Sequence, residues 1–292
     1  MTPSQYAARY LPVMVRGTVP IDISRYHLGK ETAAKDQLLG ALAGHLATNQ
    51  KKDPGYRLTM NVQGTPLSIG SWKEVGIHLY NPFIGKGSPE ECDFVLQLAT
   101  LIGGIRPERL QAWADANLGL DCNGFVGNYL FHDVLAIDWL TVAPAHLPGP
   151  SSLISTIFKF YSGIDDRYAL DDLSQVTQSD SYLIARVDAN GNVMPGGPGN
   201  VPGHIAITEP GQIMQQSFVS NSMGGIDATF AKLDMYNHLA LRTVESVGPR
   251  NTDPGIVMNW MVFQEQDKTN KRVFKVRRDK ILMQDRVKIT PI

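Results

Sequence analysis

Cysteine is scarce in this chain: two residues in 292, Cys92 and Cys122, too few for a disulfide framework. Neither lies in a CxxC pair or in a Cys/His cluster of metal-site spacing, so no metal and no cofactor is expected. Charge of one sign is missing too. The 27 Lys and Arg balance 28 Asp and Glu without any block of like charge, which removes the electrostatic footprint of a nucleic-acid binder or of a protein held on an anionic membrane. No apolar run approaches the roughly 20 residues of a membrane span, the longest being cut by Asp133 and Asp138. The opening MTPSQYAARYLPVMVRGTVP lacks the continuous apolar segment and small-residue cleavage site of a secretory signal. Cytoplasmic synthesis is therefore expected, with both thiols reduced. Oligomeric state is not encoded in any of these features.

What the chain does have is 43% hydrophobic residues, enough for one large core or two smaller ones. Residues 1–85 mix turn signals with short segments: a helical KETAAKDQLLGALAGHLATNQ, the breaker KKDPG, then strand-like YRLTMNV and VGIHLYNPF. No chemistry can be assigned to that region. From Pro89, PEECDFVLQLATLIGGI places Phe94, Val95, Leu98 and Ile102 at helical spacing, and PERLQAWADANLG reads as a second helix ending at Gly119. Phe125, Val126, Tyr129, Leu130, Val134 and Leu135 predict a third over about residues 122–136. The four aspartates of GIDDRYALDDL lack the spacing of a calcium loop. Beyond residue 180 strands dominate, in SYLIARV, HIAIT, GQIMQQSFV, HLALRTVESV, GIVMNWMVF, KRVFKVRR and RVKIT. Helices first and strands after predict an α+β fold with an antiparallel sheet.

The third helix starts within LGLDCNGFVGNYL, where Asp121 is a natural N-cap and Cys122 falls in the first turn. A free thiol titrates near about 8.5, and a catalytic one needs help to ionise. The unpaired N–H groups and macrodipole of a helix N-terminus supply such help. Gly124 and Gly127 add helix-breaking residues that ask for a reason, and close packing is one. Against this stands the ordinary role of a reduced cysteine as a small buried hydrophobe. Cys92 is assigned that ordinary role, because Glu90 and Glu91 beside it disfavour the thiolate.

A thiolate nucleophile also needs a base that later protonates the leaving amine. Of seven histidines, His204 is set apart by opening the strand GHIAIT after a long Gly/Pro loop. Ile205 and Ile207 then point to one face, and His204, Ala206 and Thr208 to the other. A histidine exposed at a strand end fits the same pattern.

GLDCNGFVGNYL followed by GHIAIT resembles the paired signature of NlpC-type cell-wall cysteine peptidases, in which Asp-Cys-Ser-Gly-Phe/Leu-Val precedes Gly-His-Val-Gly-Ile. Asn123 stands where that family has serine. The resemblance covers roughly residues 90–250 and implies a papain-like core, with N-terminal helices packed on an antiparallel sheet, over residues 86–292. It leaves residues 1–85 as an extra region of unknown role and implies an insertion near 209–238. It further implies Cys122 as nucleophile, His204 as general base and acid, and the main-chain N–H of Cys122 at the oxyanion. For the third residue, which orients the imidazole, direct counting gives Gln216, whereas allowing for the insertion gives Glu245 in LRTVESVGP. A carboxylate suits that role better than an amide. The implied reaction is cleavage of amide bonds in peptidoglycan stem peptides, the partner being a peptide or peptidoglycan fragment. Without a secretory signal, that substrate calls for a specialised secretion route or release on lysis, or for intracellular fragments. Two other readings share these residues: acyl transfer by the same thioester chemistry, and a non-catalytic protein whose cleft binds a ligand.

Overall fold

The computed structural model describes residues 1–27, 33–139, 168–192, 194, 203–214, 238–248, 254–278 and 284–292. The chain divides into two compact units. Residues 5–151 with 254–256 form the N-terminal unit; residues 1–4, 152–253 and 257–292 form the C-terminal unit.

After α1 (Pro3–Ala8), the N-terminal unit runs through the hairpin β1 (Val13–Val15) and β2 (Val19–Ile21), α2 (Ala33–Gln50), and the hairpin β3 (Leu58–Val62) and β4 (Thr65–Ile69). It continues with α3 (Gly76–Tyr80), α4 (Pro89–Leu101), α5 (Leu110–Asn117) and α6 (Cys122–Tyr129). α2 buries Leu38, Leu42 and Leu46, one stripe at four-residue spacing. α4 is the centre of the unit, buried at every position from Glu91 to Ala99. Its start is fixed by Pro89 in the first turn and by a capping box, in which Ser88 and Glu91 each bond the other's backbone N–H. The segment VGIHLYNPF, which alternation predicts as a strand, forms α3 and a following 3₁₀ turn. His78 and Leu79 are both buried there, which adjacent residues of a one-faced strand cannot achieve.

The C-terminal unit corrects the expected fold. Its strands β5 (Tyr182–Arg186), β6 (Ile205–Met214), β7 (Leu239–Val247), β8 (Gly255–Gln266), β9 (Phe274–Arg278) and β10 (Gln284–Pro291) close into an antiparallel barrel of order β10-β5-β6-β7-β8-β9. A papain-like core, with helices laid on an antiparallel sheet, is not what this sequence forms. Closure comes from β10, which pairs with both β5 and β9. Register shifts between Thr208 and Ile213 in β6 and between Phe263 and Glu265 in β8 mark irregularities of the kind that bend strands into a barrel. The first of these falls where an insertion was expected: residues 209–214 continue β6, and residues 215–237 lie outside the described residues.

Strand alternation fills the barrel with its own side chains. Tyr182, Ile184, Leu241, Met261, Phe263, Phe274, Val276, Val287 and Ile289 make one apolar cluster. Among the described residues no helix is long and apolar enough to cross a membrane.

Candidate functional site

Cys122 is the first residue of α6, and two segments, 25–27 and 85–86, fix the chain just before it. Leu120 forms bridges with both Tyr26 and Lys86. Its N–H donates to Arg25 O at 2.8 Å and its carbonyl accepts from His27 N at 3.1 Å, while Asp121 N donates to Gly85 O at 3.0 Å. Asp121 is the N-cap, accepting from Gly124 N at 2.6 Å through Oδ1, and its Oδ2 is ion-paired with Lys86. Burial pushes the Asp121 carboxyl up against the opposing pull of Lys86. Asn128, one turn further along α6, donates to Lys86 O at 2.9 Å. Gly124 lies against the Gly85 carbonyl so closely that a Cβ there stands 1.9 Å from that oxygen. The helix can approach the 85–86 segment only without a side chain at 124.

The Cys122 thiol is buried, with 7% of the residue exposed. Burial pushes the Tyr26 hydroxyl up, with smaller contributions from the neighbouring Cys122 and Asp121. Cys92 is fully buried in α4, its thiol driven up by burial and then by Glu91, Glu90 and Asp93. It has the character of core.

In the C-terminal unit, the barrel interior changes from apolar to polar at one end. Following the inward-facing parity of each strand past the apolar cluster gives Arg186 on β5, Glu245 on β7, Asn259 on β8, Arg278 on β9 and Asp285 on β10. His204 enters β6 at the same level, its carbonyl accepting from Arg186 N at 2.9 Å. Five strands of the barrel thus supply one member each, and His204 stands one residue before the sixth, β6. The structure brings His204 and Glu245 into direct contact: imidazole Nε2 bonds carboxylate Oε2. Gln216 lies outside the described residues.

Glu245 is fully buried and its charge is fully answered. Oε2 accepts from His204 and from Arg278 Nη1 at 2.8 Å, and Oε1 accepts from Asn259 Nδ2, with the Thr243 hydroxyl at 3.3 Å. Burial alone raises its pKa, but the charges of Arg278 and His204 and the hydrogen bonds outweigh it, leaving the carboxyl at about 2. An ionised carboxylate only accepts, so Nε2 of His204 carries its proton and Nδ1 is the atom that exchanges one in the neutral ring. The His204 side chain keeps 15% of its surface exposed beside a carboxylate that keeps none.

A second histidine has comparable partners. His78 Nδ1 bonds Glu91 at 2.8 Å, and Asn81 donates to the same oxygen at 2.9 Å. Here, however, Glu91 is the capping-box residue of α4, and the ring meets Trp139 edge-on at 5.1 Å, so the cluster holds α3 to α4. A cavity of about 700 Å³ in the N-terminal unit is lined by the two hairpin tips and α4, including Arg16, Gln63, Asp93 and Gln97, and, among the described residues, by no cysteine, serine or histidine. Among the described residues no group of three or more His, Cys, Asp or Glu is placed to hold a metal.

Set against known protein families, characterised proteins and solved structures, the chain has no match. The candidate site stands on its own residues.

Sequence reading names Cys122, His204 and Glu245 but misses Arg278, Asn259 and Asp285. The signal for them is present. Asn259 interrupts the alternating row Val257, Asn259, Met261, Phe263, while Arg278 and Asp285 continue the parity of the rows Phe274, Val276 and Val287, Ile289 at their ends, and a polar residue on an inward parity is one that must find partners.

Proposed function

We propose that this protein is a cysteine hydrolase of amide bonds, with Cys122 as nucleophile, His204 as general base and acid, and Glu245 as the group that orients the imidazole. The observation that carries this reading is the buried, ionised Glu245 on Nε2 of His204. Such a carboxylate fixes tautomer and ring orientation and stabilises the imidazolium formed during the reaction. Further support comes from Cys122, placed at the capped N-terminus of α6 by a segment pinned on two sides.

In this mechanism His204 takes the thiol proton, and the sulfur attacks the carbonyl carbon of the amide. The main-chain N–H of Cys122 donates to the developing oxyanion. The tetrahedral adduct collapses as the C–N bond breaks and the proton passes from His204 to the amine. Water, deprotonated by the same imidazole, then attacks the thioester, releasing the carboxylate and restoring the thiol. Stem peptides of peptidoglycan are the proposed substrates, on the likeness of DCNGFVG and GHIAIT to the NlpC-type signature.

Digestion of purified peptidoglycan, with the released fragments weighed by mass spectrometry, tests the proposal. The wild type is expected to release fragments with a new amine and a new carboxylate at one linkage, and Cys122→Ala none. No fragments from the wild type removes the substrate; equal release by the variant removes the mechanism.

A further inference from the structure

One oxygen, Oε2 of Glu245, serves two donors with opposed effects. A carboxylate bonded to an imidazole favours the imidazolium, whereas a guanidinium on the same oxygen draws off its negative charge and places a positive charge near the ring. Arg278 is held in that place from behind. Its Nη2 donates to Asp285 Oδ2 at 2.6 Å while its Nη1 bonds Glu245, and Asp285 Oδ1 is paired in turn with Arg186. Charges of alternating sign therefore run from Arg186 on β5 through Asp285 on β10, Arg278 on β9 and Glu245 on β7 to His204, just before β6.

We propose that Arg278 is a positioning residue that sets the proton affinity of His204 by sharing Oε2 of Glu245, with Asp285 fixing where its guanidinium stands. Among the described residues, the charged groups of this network are Glu245 from β7, Arg278 from β9, Asp285 from β10 and Arg186 from β5; β8 contributes the neutral Asn259. Without Arg278 the whole charge of Glu245 acts on the imidazole, which then keeps its proton to higher pH and is a poorer base in neutral solution. The consequence for turnover rests on the hydrolase reading above. The consequence for the ring does not.

The test is an NMR titration of the imidazole carbons in the full chain, His204 being assigned by loss of its signal in His204→Ala. Arg278→Gln is expected to raise the His204 midpoint by about one unit or more, and Glu245→Gln to lower it. Should Arg278→Gln fail to fold, Asp285→Asn carries the test with the opposite sign. It removes the anion facing Arg278, and the His204 midpoint is expected to fall. In the peptidoglycan assay the acid limb of the rate profile is expected to move with the midpoint. A midpoint within about 0.3 unit of wild type in a folded Arg278→Gln, or a rise in Asp285→Asn, overturns the proposal. Midpoints that move as stated in a chain that cleaves no peptidoglycan leave Arg278 its role and remove the hydrolase reading. Cleavage with unmoved midpoints does the reverse.

Discussion

Glu245 has four polar partners, no exposure and a carboxyl held at about 2, so a single atom exchange there has large consequences. Glu245→Gln keeps the shape but removes the charge that stabilises the imidazolium, and kcat/KM is expected to fall roughly 10–100-fold. Stability gives a second readout. The folded pKa lies below the ordinary 4.5, so the stabilisation is complete above that value and is lost as pH falls toward 2, amounting to on the order of 3 kcal/mol. The acid unfolding limb of Glu245→Gln is expected to be flatter over that window in denaturant titrations. Asp93 runs the other way. Burial, against hydrogen bonds from Gln97 and the backbone of Gln63 and Arg16, lifts it from 3.8 to about 6. Its contribution is complete below about 4 and is lost as pH rises through 6, so Asp93→Asn is expected to remove a decline in Tm between those values. At this scale the sequence was informative where chemistry is local. An aspartate before a cysteine at a helix start reads directly as a cap, whereas the backbone partners of Asp93, Gln63 and Arg16, lie on two hairpin turns that only folding brings to α4.

The elements around Cys122 depend on close approach. Gly124→Ala forces a methyl group to 1.9 Å from the Gly85 carbonyl, and the expected loss is more than about 2 kcal/mol in chemical denaturation. Gly40, exposed in α2 with open space where a Cβ goes, provides the control: Gly40→Ala is expected to stabilise by about 0.5–1 kcal/mol. α4 and the alternating strands β5, β7 and β9 were legible because their apolar periods are regular. VGIHLYNPF was not, because its alternation suits a strand while its burial is decided by tertiary partners such as Glu91. The run from HIAIT to GQIM reads as two strands around a Glu-Pro-Gly break, yet forms one, with Gly211 at φ 76° inside the irregular stretch.

For the whole molecule, the antiparallel run of strands after residue 180 could be read from the chain, but neither the joining of two of them into β6 nor the closure of the barrel could. The joining of β10 to β5 pairs residues about a hundred positions apart, as in Val287 with Arg186, and no local pattern specifies such a partner. The same closure assembles the polar ring from five strands and the residue before β6, so its members could be recognised singly but not as a set. The central claim, that Cys122 is a nucleophile dependent on His204, is tested most directly by an irreversible probe. A stem peptide ending in a chloromethyl ketone, followed by intact-mass and peptide-mapping spectrometry, records which thiol attacks. The expected result is one adduct per chain, on Cys122 and not Cys92, formed at least roughly tenfold more slowly in His204→Ala. An unlabelled Cys122, or equal rates in wild type and His204→Ala, contradicts the account.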